Sequence, residues 1–205
     1  MADGARSKGV VVVATAAFIV LVLLAAWFPR PTPNDLDLRI SEKVYARHNA
    51  GLDLLMRAAS PLGSTLGVIV AAGALAITAW HEDDRRGAVI AAGIVIAAIV
   101  LNPLLKTIFA RPRPELIAVI SAPRSYAFPS GHAAGATAAY TMAAVELGRL
   151  RPRWRVWLRP AAVTLIVLVG VSRVYLGVHW PSDVAAGWAF GLLMACMGCW
   201  ALRRE

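Results

Sequence analysis

Two stretches of this 205-residue chain carry side chains whose types and spacing could handle a phosphate group. In "VSRVYLGVHWPSDVAAG" (171–187), a chain that elsewhere avoids charge sets Arg173, His179 and Asp183 close together. His179 and Asp183 are four apart and flank Pro181, which suits the first turn of a helix. One helical turn lets the carboxylate reach the imidazole, fix its tautomer and leave the other ring nitrogen free to attack. In "KTIFARPRPEL" (106–116), Lys106 precedes Arg111 and Arg113, each followed by a proline that stiffens the backbone and forbids helix continuation. The same connection ends in "YAFPSGHAAGATAAY" (126–140), where Ser130 is a natural N-cap for an alanine-rich helix. The backbone N–H groups of Ser130, Gly131 and His132 would point out of that helix N-terminus. Such an end attracts anions by geometry and dipole, and Gly131 lets an oxygen come close to the backbone. Cations, a helix N-terminus, two histidines and one aspartate are what phosphoryl transfer asks for. Charge sits on the equatorial oxygens of the transferring group, so positioned donors supply most of the catalysis. One histidine would attack phosphorus and the other would protonate the leaving oxygen.

These groups can cooperate only if the chain brings the two stretches to one place, and composition says how. The chain is 59% hydrophobic with a mean hydropathy of +0.63, above the usual share for a soluble domain. The excess falls in blocks. Residues 10–28, 58–80, 87–105 and 184–202 are uncharged over about the length a helix needs to cross a bilayer, and 131–148 and 160–172 are less pure but strongly apolar. The expected architecture is an all-α, polytopic membrane protein. Its six transmembrane helices (about 10–28, 58–80, 87–105, 131–148, 160–172 and 184–202) form one domain over 1–205. The first block reads as an uncleaved span, because its apolar core is longer than that of a cleavable signal and "WFPRPTP" offers no small-residue cleavage site. After it, "PRPTPND" reads as an extended turn. The whole connection 29–57, with nine charged residues, cannot cross the bilayer, but the apolar side of 36–57 suits an interfacial helix.

Six crossings place both chemical stretches on one face. With the termini cytoplasmic, eleven of the 21 Lys and Arg residues lie in the short inner segments, the N-terminus, 81–86, 149–159 and the C-terminus, as the positive-inside rule expects. That distribution accounts for the net charge of +9 without nucleic acid. The expected location is the cell membrane, with the site extracytoplasmic, and the expected partners are membrane lipids and a lipid phosphate substrate. The C-x-x-C pair Cys196 and Cys199 lies inside the last apolar block and reads as small helix residues rather than a redox or metal pair. Taken singly, Arg111 and Arg124 read as interfacial anchors, and His48 and His81 as solvated histidines. A metal held by His132, His179 and Asp183 is disfavoured by the surrounding cations.

Eleven spaced positions match a known pattern in order and without departure. They are Lys106, then Arg113-Pro114; Pro129-Ser130-Gly131-His132; and Ser172-Arg173, then His179 and Asp183. Together they resemble the three-part signature of the type-2 phosphatidic acid phosphatase superfamily, which includes membrane lipid phosphatases and vanadium haloperoxidases. The resemblance implies a six-helix bundle with an outward-facing site and no cofactor or metal. His179 would be the nucleophile, passing through a phosphohistidine, oriented by Asp183. His132 would be the general acid, and Lys106, Arg113, Ser130, Gly131 and Arg173 would bind phosphoryl oxygens. It leaves Arg111 as an accessory contact. The expected activity is hydrolysis of a lipid phosphomonoester or diphosphate such as phosphatidic acid, phosphatidylglycerophosphate or polyprenyl diphosphate. A vanadate-dependent haloperoxidase and a non-catalytic lipid transporter are the alternatives. The first has no reason to be buried in lipid, and the second usually leaves ionisable groups near the bilayer midplane.

Overall fold

The computed structural model describes residues 2–27, 34–114, 120 and 124–203. Within them all regular structure is helical: α1 (Ala2–Trp27), α2 (Asp35–Tyr45), α3 (Ala50–Ala59), α4 (Thr65–His81), α5 (Arg85–Phe109), α6 (Gly131–Leu150), α7 (Arg155–Tyr175) and α8 (Pro181–Ala201). Short 3₁₀ turns at Ser60–Gly63 and Pro152–Trp154 join α3 to α4 and α6 to α7. Most of the turn at "PRPTPND" and the last two residues lie outside the described residues.

The helix starts follow from local chemistry. The side chains of Asn34, Asn49, Ser64, Asp84 and Ser130 each accept a hydrogen bond from a backbone N–H three residues on, satisfying one of the donors orphaned at every helix N-terminus. Helix α5 ends differently. Ala110 adopts a left-handed conformation with φ of 43° and returns its N–H to the Lys106 carbonyl. That reversal brings Arg111 and Arg113 back against the bundle.

Helix α6 is the axis of the bundle, packed by α4, α5, α7 and α8. Its Ala133, Ala134, Ala136 and Ala138 are completely buried. The crossing with α8 is close because both surfaces are small. A Cβ on Gly187 would lie 2.6 Å from the Ser130 carbonyl oxygen and 2.9 Å from the Ala133 Cβ, and one on Gly191 would collide with the Ala134 carbonyl. Gly191→Ala should therefore push α8 off α6 and destabilise the protein by about 1–3 kcal/mol. Thermal inactivation of the detergent-solubilised protein checks this; an unchanged midpoint would mean that the crossing is looser than the structure has it.

By length and apolarity, four described helices could cross a membrane, within Lys8–Ala26, Arg85–Phe109, Pro152–Tyr175 and Pro181–Ala201. A fifth span results if α3 with its 3₁₀ turn and α4, bent by 58°, are counted together. The sixth block, 131–148, is helical as α6 but falls short of that test. The reason is physical: α6 is wrapped by other helices, so Ala, Gly and Thr serve it better than the large apolar side chains a lipid-facing helix needs. Two other boundaries also move. The second block begins at Thr65 rather than 58, because Pro61 and the Ser64 cap interrupt the backbone there. The single interfacial helix expected over 36–57 is two helices, α2 and α3. Helix α2 packs against α7 and α8, and α3 against α7.

At one end of the bundle, the buried Glu146 accepts two bonds from Arg149, which also pairs with Asp84, while Arg151 pairs with Glu82. Part of the positive charge of 149–159 is thus used to tie the α4–α5 connection to the end of α6. The phosphate-type residues lie at the other end.

Candidate active site

The C-terminal turns of α5 and α7 and the first turns of α6 and α8 meet at that end. Lys106, on the last turn of α5, is 9% exposed and donates from Nζ to the carbonyls of Tyr126 (2.5 Å) and Ala127 (3.3 Å). Arg173, on the last turn of α7, is 3% exposed; it donates to Ser60 Oγ, and its Nε has no partner. Arg113 is held through Nε to the Ser125 carbonyl (2.7 Å) and through Nη1 to the Val178 carbonyl (2.5 Å). These bonds fix the guanidinium groups at a cavity of about 290 Å³, which His132, Gly131 and His179 also line. The cavity continues between α4 and α5 past Val68, Ile99 and Pro103, so its polar end opens into an apolar cleft. A larger groove of about 640 Å³ lies at the far end beside Arg149 and Arg159 and shares no residue with this one.

The tautomer of His179 follows from its neighbours. Arg113 Nη1 stands 3.2 Å from Nε2. Guanidinium nitrogens only donate, so Nε2 is the acceptor and carries the lone pair, and the ring proton is on Nδ1. Nδ1 faces Asp183 Oδ2 at 3.5 Å. The same oxygen accepts the Trp180 N–H at 2.9 Å, and Oδ1 accepts from Arg111 Nη1 at 2.6 Å. Asp183 is thus held at both oxygens, and His179 presents an unprotonated nitrogen to the cation-lined cavity.

Burial, with Lys106, Arg113 and Arg173 nearby, holds the His179 pKa well below the ordinary imidazole value. Burial also lowers the pKa of Arg113, partly offset by Asp183. For His179 the consequence has a definite sign. Its neutral form persists as pH falls below 6.5, whereas the unfolded chain takes up a proton there. Stability from this group is therefore lost as pH falls from 6.5 toward the depressed folded value. In histidine-labelled protein studied by NMR, the resonance absent from His179→Gln should stay neutral at pH 5.5. A midpoint near 6.5 for that resonance would show the ring to be exposed and unperturbed.

The helix N-terminus differs in one respect from its expected form. The Ser130 N–H does not point outward; it donates to the Asp183 carbonyl at 2.9 Å, because α6 and α8 are in contact there. The first-turn donors that remain belong to Gly131 and His132, and Ser130 itself is fully buried with its Oγ facing Ala133 N at 3.5 Å. At Gly131 a Cβ would sit 2.9 Å from Asn102 Oδ1, so a larger residue here would have to displace the Asn102 side chain.

The fold brings together Lys106, Arg113, Ser130, Gly131, His132, Arg173, His179 and Asp183. It leaves out Arg124, which is exposed, and His48, which stacks on Tyr175 at 4.0 Å beside Asp53. It also leaves out His81, exposed at the opposite end, and Cys196 and Cys199, both free thiols on α8. Arg111 departs most from its expected place. It is no anchor at the membrane interface: it is 1% exposed and bonds Asp183, Ser182 and Asp37. In Arg-Pro-Arg-Pro the two guanidinium groups diverge, Arg113 to His179 and Arg111 to the far side of Asp183. The alternation was a visible signal for this. Asp37 carried none, since an acidic residue in the first turn of a helix is ordinary. Asn102, buried with an unpartnered Nδ2 and lining the cavity, carries no such signal either, since it lies inside an apolar block.

A family model described as the PAP2 superfamily matches residues 87–205. Among curated proteins, phosphatidylglycerophosphatase B of Bacillus subtilis (strain 168) is 38% identical over 97 residues, 46% of this chain and 47% of that protein. Undecaprenyl-diphosphatase of Sulfolobus acidocaldarius is 39% identical over 101 residues, 47% of this chain and 46% of that protein. The chain spans about half the length of the curated relatives it matches. Among solved structures, the transmembrane PAP2-type phosphatidylglycerolphosphate phosphatase from Bacillus subtilis superposes with a TM-score of 0.81 at 28% identity, covering 91% of this chain and 94% of that one.

Proposed function

The chain belongs to the PAP2 superfamily, and from that membership and the site geometry we propose that it is an integral membrane phosphatase acting on a lipid phosphomonoester or diphosphate. The observation that carries the reading is the unprotonated Nε2 of His179, set against a cavity lined by Lys106, Arg113 and Arg173. A terminal phosphate in that cavity gives each cation an anionic partner, which none of the three has in an ion pair among the described residues. The Gly131 and His132 N–H groups add donors at the α6 N-terminus.

The reaction we propose has two displacements. His179 Nε2 attacks phosphorus, the P–O bond to the lipid breaks, and the leaving oxygen takes a proton from His132. A phosphohistidine and a lipid alcohol, or a lipid monophosphate from a diphosphate, result. Water then attacks the phosphohistidine, giving its proton to His132, and the P–N bond breaks to release inorganic phosphate and restore both histidines. Asp183 keeps the Nδ1 proton in place and stabilises the positive ring as the P–N bond forms. Lys106, Arg113 and Arg173 carry the charge of the transferring oxygens.

The apolar cleft between α4 and α5 suits a lipid tail reaching the site from the bilayer. The relatives suggest phosphatidylglycerophosphate or a polyprenyl diphosphate as the body to which the phosphate is attached. Six crossings, with α6 as the sixth, would put the site on the extracytoplasmic face and both termini in the cytoplasm. The deciding experiment is phosphate release by the purified chain in detergent with EDTA. It compares phosphatidylglycerophosphate, undecaprenyl diphosphate and phosphatidic acid by kcat/KM. Turnover of at least one is expected; no turnover of any would overturn the reading. Labelling of single cysteines at 126 and 203 in intact cells tests the topology, with only the first expected to react.

A further inference from the structure

We propose that Asp37 and Arg111 are positioning residues for the His179–Asp183 pair, which makes helix α2 a working part of the catalytic centre. The inference rests on the phosphatase reading above. Neither residue lines the cavity, and neither belongs to the eleven spaced positions that carry the family resemblance.

The geometry is a continuous buried chain. Arg111 spans two carboxylates, donating from Nη2 to Asp37 Oδ2 at 2.7 Å and from Nη1 to Asp183 Oδ1 at 2.6 Å. Asp37 in turn grips the first turn of α8, accepting the Ser182 N–H at Oδ1 (2.9 Å) and the Ser182 hydroxyl at Oδ2 (2.6 Å). Arg111 Nη1 also donates to Ser182 Oγ at 2.7 Å. Asp37, Arg111 and Asp183 are each 2% exposed or less.

The chain matters because of what Asp183 must do. Its Oδ2 has to face the Nδ1 proton of His179 while it accepts the Trp180 N–H, and the carboxylate has a single orientation once its other oxygen is fixed as well. Arg111 fixes it, and Asp37 fixes Arg111: a guanidinium fork held at both ends has one orientation. Without Asp37, nothing described in the structure holds the second arm of the fork. Arg111 could then swing, Asp183 would rotate with it, and Nε2 would lose its aim at phosphorus. Misplacements of this size are worth up to about 100-fold in rate. Helix α2 is amphipathic, with Leu36 60% exposed and Ile40 37% exposed on the side away from the bundle. Its seating against α7 and α8 is therefore what places Asp37.

The test is Asp37→Asn, which keeps the shape and an oxygen for Ser182 but removes the charge holding Arg111. It should lower kcat between about 10- and 100-fold with KM changed less than about 2-fold. The second readout is a cycle with Asp183→Asn. If Asp37 acts through Asp183, its substitution should cost less than about 2-fold in the Asp183→Asn background. A residue that merely supports the fold would cost the same factor in both. An unchanged kcat, a loss confined to KM, or equal losses in both backgrounds overturns the proposal. If Asp37→Asn yields no folded protein, Arg111→Lys answers the same questions, since one ammonium cannot make the two-armed contact. Wild-type turnover with an inactive His179→Ala keeps the phosphatase reading separate: its failure is seen in those two proteins alone.

Discussion

His179→Ala is expected to lower phosphate release from a lipid phosphate by on the order of 10³-fold or more, with the protein still folded. The side chain fills little of the hydrophobic core, and its loss removes one bond to Arg113 rather than a packing layer. What disappears is the proposed nucleophile, and with it the proposed covalent route. The cations proposed to hold the phosphate remain, so inorganic phosphate should bind with an affinity within about 10-fold of wild type. Acid-quenched protein incubated with a ³²P-labelled lipid phosphate should carry label in the wild type and none in the variant. Near-normal turnover by His179→Ala would remove this residue from the chemistry and move the nucleophile elsewhere in the cavity.

Arg111→Ala should have the largest effect on stability of any single substitution at this end of the bundle. It leaves Asp37 and Asp183 buried, close together and without the cation that separates them. Breaking a buried ion pair by removing one partner costs about 3–5 kcal/mol, because an uncompensated charge remains. Thermal denaturation in detergent should show a marked fall, and activity should drop further because Asp183 loses its anchor. Combining Arg111→Ala with Asp37→Leu, which removes the second orphaned charge, should restore part of the stability but not the activity. A melting point for Arg111→Ala within a degree or two of wild type would mean that water reaches Asp37 and Asp183, and that the pair is not buried as described.

Much of the candidate site was legible because its parts obey local rules. Ser130 caps α6 and Pro181 opens α8, as their residue types indicate. The four-residue step from His179 to Asp183 does bring ring and carboxylate within reach of each other. Other features were hidden for reasons equally physical. The span count blurred at α6 because a helix surrounded by protein needs no lipid-facing side chains, so hydropathy loses contact with position. The start of α4 was misplaced because apolar residues run through a bend that Pro61 and Ser64 impose. The outward N–H of Ser130 was lost to Asp183 because two helix ends distant in sequence touch.

The sequence by itself determined that the chain is helical and built for lipid, where its cations, histidines and aspartate cluster, and which chemistry that set suits. These follow from composition and from spacings of a few residues, which backbone geometry converts directly into reach. Only the tertiary structure decided where Arg111 goes, to Asp183, Ser182 and Asp37. It also joined Asp37 to Asp183 across 146 positions through Arg111. Such contacts depend on how α2, α5 and α8 pack together, and no local preference of residue 37 encodes a partner that far along the chain.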